Sequence, residues 1–164
     1  MPKSVGDQPY VGAVPEAGEY LELVWSGADG DGTGRLTVAV SANGFAGSSS
    51  AWFDQSSVEA FGSALTRYPL DVDSLPSIEG GFGGDTPQTH VAISAYPVGP
   101  RGQVMLGVKL GTAVHRGDRP ESRHLVQLEL PISYERLAAF GRDVARITAR
   151  NGERARIEAD RLAG

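Results

Sequence analysis

The sequence WFDQSSVEAFGSALTRY, residues 52–68, decides the fold because it predicts one amphipathic helix in the first half of the chain. Val58, Phe61, Leu65 and Tyr68 recur at the spacing that places side chains on one face of a helix. An apolar helical face must be buried against another element. We therefore expect the surrounding sequence to supply a sheet that packs against this helix.

The predicted helix carries signals at both ends. Ser56 and Glu59 have the spacing of a capping box, in which a hydroxyl and a carboxylate satisfy backbone N–H groups that the helix leaves unpaired. Asp54 adds a negative charge near the positive end of the helix dipole. Pro69 cannot continue a helix, so we expect the helix to end directly before it.

A second helix is predicted to begin after Pro131 and Ser133, where apolar residues again fall on one helical face. Its residues 137–144 share the pattern apolar, x, Ala, Phe, Gly, x, x, apolar with residues 58–65. Each of the two segments follows a strand-like sequence. A shared packing role is the favoured interpretation, and an internal duplication stays open as the alternative.

Alternation of apolar and polar residues predicts strands in most of the remaining sequence. The predicted strands lie near residues 20–25, 36–41, 45–53, 75–82, 90–96, 104–111 and 123–130. Segments rich in Gly, Asp and Pro separate neighbouring strands and indicate hairpins. The predicted fold is therefore α+β: a largely antiparallel β-sheet of about six to seven strands with two helices packed on one face. The opposite face of the sheet is where we expect a functional surface.

The length of 164 residues indicates one folded unit with loose ends. Residues 1–18, with three Pro and three Gly, are interpreted as a flexible N-terminal arm, residues 19–148 as a single α+β domain, and residues 149–164 as a charged C-terminal tail or helical extension. The first 20 residues lack the uninterrupted apolar core of a signal peptide, and no apolar run approaches the roughly 20 residues that span a membrane. A cytoplasmic protein without a membrane partner is therefore expected.

The net charge of −5 conceals an uneven distribution along the chain. Residues 1–98 hold twelve acidic and three basic residues, a net charge of −9, whereas residues 99–164 hold eight acidic and twelve basic residues, a net charge of +4. The acidic front half repels phosphate, so we expect no nucleic-acid partner. Such an asymmetry can steer a charged protein partner, although a solvated surface is the plainer interpretation.

Motifs that carry chemistry are incomplete. Residues 29–34 begin like a calcium loop, but Val40 stands where the bidentate carboxylate is required. There is no cysteine, and His90, His115 and His124 have no close metal-ligand spacing. We therefore expect no metal, no cofactor and no enzymatic activity. A hydrolase with a dispersed site near His90 or His124 is kept as the least favoured alternative.

Several short motifs resemble those of the WapI-type bacterial immunity proteins and their uncharacterised relatives. They are Gly44-Phe45-Ala46-Gly47, Trp52-Phe53-Asp54, the helix residues Val58, Phe61 and Leu65, and Gly102-Gln103-Val104, which stands where the family often has Gly-His-Val. The resemblance covers roughly residues 36–147. It implies a protein that binds and neutralises a cognate toxin inside the producing cell.

A basic toxin domain would suit the acidic front half of the chain. The candidate partner-binding residues are acidic and lie in predicted loops: Asp29, Asp31, Asp71, Asp73, Glu79 and Asp85. The main alternative is a structural or self-assembling module, a homo-oligomer that forms through an open sheet edge.

Overall fold

The computed structural model describes residues 18–27, 30–83 and 87–160, which form an α+β fold. The predicted arm, Asp29 and Asp85 lie outside these residues, except for Gly18 at the end of the arm. The elements are β1 (Tyr20–Gly27), β2 (Thr33–Ala42), β3 (Phe45–Asp54), α1 (Gln55–Ala64), β4 (Ser77–Phe82), β5 (Gln88–Val98), β6 (Gln103–Gly111), β7 (Leu125–Ile132), α2 (Tyr134–Val144) and β8 (Arg154–Glu158). The predicted α+β class, antiparallel pairing and two helices are confirmed.

The strands of the described residues form two four-stranded antiparallel sheets, in the orders β3-β2-β1-β8 and β4-β5-β6-β7. Strand β3 lies across the second sheet. The Phe53 ring covers Gly80 on β4, and Ser49 Oγ donates a 2.6 Å hydrogen bond to the carbonyl of Gly111 on β6. The two sheets form because each alternating set of strands has an apolar face to bury, and both faces enter one hydrophobic cluster.

The element order repeats itself. The series β1-β2-β3-α1-β4 has the same composition as β5-β6-β7-α2-β8, and the last strand of each series joins the sheet of the other. Strand β4 pairs with β5, and β8 pairs with β1. Each half of the chain therefore completes the sheet of the other half, and β4 and β8 occupy equivalent positions.

The two helices cross at a pair of glycines. A Cβ atom on Gly62 would lie 2.6 Å from the carbonyl oxygen of Gly141, and one on Gly141 would lie 2.5 Å from the carbonyl oxygen of Gly62. Neither position has room for a side chain, so the helix backbones approach closely. The Ala-Phe-Gly pattern common to both helices therefore serves a shared packing role.

Helix α1 is shorter than the sequence predicted. Residues 52–54 continue β3 instead of opening the helix, because Trp52 and Asp54 alternate with the inward Phe53. The helix ends at Ala64, well before Pro69, because both the N–H and the hydroxyl of Thr66 bond to the carbonyl of Ser63 and close the last turn. Tyr68 therefore lies outside the helix and is 77% exposed.

The predicted capping box is wrong. Asp54 occupies the N-cap position and makes no side-chain hydrogen bond to the helix. The Glu59 carboxylate accepts hydrogen bonds of 2.9 Å from Gln55 Nε2 and from the buried Thr148 Oγ1. Glu59 therefore anchors α1 to the segment after α2 instead of reaching back to the backbone of Ser56.

The C-terminal segment differs most from the prediction. Arg154–Glu158 form strand β8, whereas a charged tail or helical extension was predicted from residue 149. Ala155 and Ile157 are buried against β1, and the charged residues between them face solvent. The period of two was present in the sequence, but the density of arginines obscured it.

Within the described residues no helix is long and apolar enough to cross a membrane.

Candidate functional site

The structure places the predicted acidic residues at different parts of the surface. Glu79 lies on strand β4, within the predicted strand at residues 75–82, so its selection as a loop residue is wrong. Asp71 and Asp73 lie in the turn after α1, where the Asp73 N–H donates a 2.9 Å hydrogen bond to Asp71 Oδ1. Among the four that the structure describes, Glu79 lines the depression beside Trp52, and Asp31 is hydrogen-bonded to Thr33, which lines the same depression.

This surface, here called the Trp52 depression, has a volume of about 480 Å³. It is lined by Thr33, Trp52, Phe53, Asp54, Ser57 and Glu79. The Trp52 side chain is 56% exposed, and Asp54 and Glu79 are exposed as well. An exposed indole ring is thus bordered by two carboxylates.

A third carboxylate is bonded to Thr33, one of the residues that line the depression. Asp31 accepts hydrogen bonds from the Thr33 N–H (2.9 Å) and the Thr33 hydroxyl (2.8 Å). These bonds, the backbone bond first, hold the pKa of Asp31 below its usual value. Asp31 is therefore ionised at neutral pH, and its negative charge is fixed beside Thr33.

Local structure explains why these groups meet. Strand alternation directs Phe53 into the core and leaves Trp52 and Asp54 on the outer face of β3. The Arg35 guanidinium lies 5.7 Å from the centre of the Trp52 ring, within the range of a cation–π contact. On the facing strand, Glu79 accepts a 2.5 Å hydrogen bond from the Thr89 hydroxyl. Both the ring and one carboxylate are thus held in position.

The depression continues into a groove of about 490 Å³ between α1 and β4, here called the β4 groove. The two cavities share Phe53, Ser57 and Glu79. On the helix side the wall carries the small residues Ala60 and Ala64 as well as Ser57. Because these side chains are short, the groove stays open along residues 77–79 of β4.

Strand β4 is an end strand of its sheet, and its outer edge is open. The Ala95 N–H donates a 3.0 Å hydrogen bond to the carbonyl of Pro76, which fixes the ladder pattern. Because antiparallel pairs alternate, the N–H and C=O groups of Ser77 and Glu79 point away from β5. Both residues are exposed, and no strand of the described residues pairs with this edge.

The equivalent edge strand, β8, is protected instead. The Trp25 N–H bonds to the carbonyl of Glu153, so the backbone groups of Arg154, Arg156 and Glu158 point outward. Arg136 Nη1 donates a 3.2 Å hydrogen bond to the carbonyl of Glu158 and so caps one of these groups. The row of charged side chains on this strand further discourages pairing with another chain.

The outer face of the second sheet carries a trough of about 590 Å³, which shares Ser77, Ile78 and Glu79 with the β4 groove. Its largest side chain, Tyr96, lies across Gly107 and donates a short hydrogen bond to Glu129. Burial first, and then this carboxylate, raises the pKa of Tyr96 to about 12. Because Tyr96 and Glu129 satisfy each other and the trough has no exposed aromatic side chain, it is a weaker candidate than the Trp52 depression.

The two histidines considered for a dispersed hydrolytic site lie in different surroundings. His90 is 5% exposed, packs edge-on against Phe82 and lies 3.3 Å from Gln88 Oε1. Burial lowers the pKa of His90, and the charges of Arg123 and His115 lower it further. His124 borders a depression of only about 80 Å³. No group of three His, Cys, Asp or Glu side chains among the described residues could hold a metal ion.

Two components of this site were not predicted from the sequence. Trp52 and Asp54 were assigned to the start of a helix, whereas their alternation with Phe53 would have placed them together on one strand face. The open edge of β4 was not identifiable, because strand order depends on long-range pairing.

No protein-family model matches the chain, and neither a curated protein nor a solved structure shows significant similarity to it.

Proposed function

We propose that this protein acts without catalysis by binding a basic protein partner at the Trp52 depression. The observation that carries this proposal is an exposed tryptophan beside the carboxylates of Asp54 and Glu79. Asp31, hydrogen-bonded to the lining residue Thr33, adds a third negative charge, so the carboxylates outnumber the one guanidinium at the ring, that of Arg35. Tryptophan is among the residues that contribute most to protein interfaces, and surrounding charges select and orient the partner.

The carboxylates at this surface are available to a partner. Within the described residues neither Asp54 nor Glu79 forms an ion pair with a basic side chain. Lysine or arginine side chains of a partner could therefore pair with them without displacing an existing ion pair. Partial burial in the complex would strengthen these pairs relative to exposed ones.

We further propose that the partner is a toxin domain that the protein neutralises by direct binding, as an immunity protein does. The resemblance to the WapI-type family supports this class of partner, and the acidic Trp52 depression suits a toxin with a basic active-site cleft. Binding there would cover the cleft and exclude its substrate. Electrostatic attraction would also speed association at low salt.

Co-expression with the toxin domains encoded beside the gene tests this function. Cells that produce such a toxin should survive only when this protein is present, and the purified protein should bind a catalytically inactive form of the toxin. We expect Trp52→Ala, and separately the pair Asp54→Asn with Glu79→Gln, to weaken binding at least about 10-fold.

Matched controls separate this surface from general effects. Phe45→Ala removes another exposed aromatic residue of β3, and Glu121→Gln with Glu135→Gln removes the same number of charges elsewhere. These controls should bind the toxin as the unchanged protein does. Equal losses in the site and control variants, or no protection against any neighbouring toxin, would contradict the proposal.

A further inference from the structure

We infer that the open edge of β4 takes up an extended basic segment of the partner as an additional strand of the second sheet. This inference rests on the proposed function, because it names how the partner binds beside the Trp52 depression. The added strand would lie in the β4 groove and run along residues 77–79.

The backbone of β4 supplies the hydrogen bonds. Ser77 and Glu79 each direct one N–H and one C=O group away from β5, so an incoming strand meets four backbone partners. The ladder shifts register between Gly80 and Gly81, which ends the regular edge at this point. The added strand is therefore short, and side-chain contacts must contribute to its affinity.

The β4 groove has room for apolar side chains of the added strand. Its helix wall carries the small residues Ser57, Ala60 and Ala64, at the spacing of one helical face, together with Phe61, and Ile78 lines it from β4. Side chains alternate along a strand, so every second residue of the segment can enter the groove. We expect those residues to be apolar.

Charge determines the remaining residues of the segment. Glu79 lies where the groove opens into the Trp52 depression, and Asp54 lines the depression beyond it, whereas Arg67 lines the groove on the side of the C-terminal end of α1. A lysine or arginine beside Glu79 and Asp54 gains two carboxylates, whereas an acidic residue would be repelled. The recognised segment is therefore an extended one in which apolar and basic residues alternate. A second copy of this chain is a poorer occupant, because pairing two β4 edges would bring two acidic clusters together.

A capped octapeptide of alternating valine and lysine is a suitable probe, and its affinity can be measured by fluorescence anisotropy. N-methylation removes backbone donors. One form is methylated at the backbone nitrogen of every lysine and the other at the backbone nitrogen of every valine. Because the N–H groups of alternate residues point in opposite directions, the two forms block opposite edges of the peptide. We expect one methylated form to lose at least about 10-fold in affinity and the other to bind like the parent.

A protein variant tests the same edge from the other side. Ser77→Pro removes an outward N–H group, and proline is tolerated at such edge positions. We expect it to weaken peptide binding at least about 10-fold with little change in the urea midpoint. Arg154→Pro is the matched control, since Arg154 has the equivalent outward position on β8; this variant should bind the peptide normally.

Several results would overturn strand addition. These are no binding of the octapeptide, equal binding of both methylated forms, or normal binding by Ser77→Pro. A dimer in light scattering that Ser77→Pro abolishes would make a second copy the occupant and also overturn the inference. In each case, toxin binding that still depends on Trp52 and Glu79 would leave the proposed function intact. Strand pairing with the peptide but no protection against toxin would contradict only the proposed function.

Discussion

Strands β4 and β8 occupy equivalent positions in the two halves of the molecule, but their outer edges differ. The β8 edge carries Arg154, Arg156 and Glu158, and Arg136 caps its Glu158 carbonyl. The β4 edge presents Ser77 and Glu79 to an open groove. Edge strands tend to pair with other chains unless they are protected. The β4 edge, the unprotected member of this pair, is therefore the stronger candidate for a binding surface.

The acidic residues follow the same asymmetry. Asp54 and Glu79 lie beside the open edge without ion-pair partners in the described part of the chain. On the β8 side, Glu22 lies 3.7 Å from Arg154 and 3.6 Å from Arg156, so its charge is already compensated. The same strand position thus has a capped carbonyl and a compensated carboxylate in one half, and leaves both backbone groups and charge available in the other.

The largest expected effect concerns what the two halves share, the helix crossing. Gly62→Ala should destabilise the protein by about 1–3 kcal/mol, because the new methyl group would contact backbone atoms of α2. At an uncrowded helix position the same change would stabilise the protein instead. Urea unfolding measures the difference.

Ser63→Ala, at the exposed neighbouring position, is the control and should change the unfolding free energy by less than about 0.5 kcal/mol. A neutral or stabilising Gly62→Ala would show that the helices do not cross at these glycines. A similar loss is expected for Gly141→Ala, and the two losses should not add, because the residues share one contact.

The next largest effect is expected when Arg136 is removed, because the β8 edge then loses its cap and becomes more like the open β4 edge. Arg136→Met should cost about 0.5–1 kcal/mol, because it removes the cap on the Glu158 carbonyl and an exposed ion pair with Asp160. It should also speed hydrogen exchange of the β8 amides. Arg142→Met, on the exposed face of the same helix, should change neither quantity. Unchanged exchange in Arg136→Met would mean that Arg136 does not protect the edge.

A smaller effect depends on pH and concerns a feature of the β4 half alone. The β4–β5 ladder has a bulge near His90, whereas the β8–β1 ladder is regular. Because the folded-state pKa of His90 is lowered, the unfolded chain binds the proton first as the pH falls. Stability should therefore decrease as the pH falls below about 6.5, the usual pKa of histidine.

Urea midpoints at neutral and mildly acidic pH measure this dependence. His90→Gln should weaken it, and the exposed-site control His124→Gln should leave it unchanged. If the urea midpoint of His90→Gln depends on pH as that of the unchanged protein does, groups other than His90 cause the dependence.

The smallest effect concerns the outer face of the second sheet. One of the five tyrosines, Tyr96, should ionise near pH 12 in an absorbance titration of the folded protein. Because the unfolded tyrosine ionises near pH 10, stability should fall as the pH rises above about 10. Glu129→Gln should move this ionisation toward lower pH, and Tyr96→Phe should remove it. A titration in which Glu129→Gln has no effect would contradict the hydrogen bond.

Sequence periodicity predicted the parts of the fold that depend on local patterns. Strands β1, β2 and β6 alternate clearly, and the N-cap of α2 at Ser133 was recognisable from residue type. Strand β8 was missed because its short alternation lies within an arginine-rich segment. The division into two sheets, and the exchange of β4 and β8, depend on long-range pairing that local patterns do not encode.

The candidate site was predictable only in part. Charge identified Asp31 and Glu79, but Glu79 was assigned to a loop, and nothing local indicated that they share a surface with Trp52. Asp54 was interpreted as a helix charge, whereas its carboxylate borders the depression. The site forms where β3 crosses the second sheet, and this crossing follows from packing of the two apolar faces.

The most direct test of the account compares amides at the two edges by NMR during titration with the valine-lysine octapeptide. If the molecule binds through its open β4 edge, the amides of Ser77 and Glu79 should shift and become protected from exchange, and the Trp52 indole signal should shift. The amides of Arg154 and Arg156 on the protected edge should not change. Equal perturbation of both edges, or perturbation of β8 alone, would contradict the claim that the molecule binds through its open β4 edge.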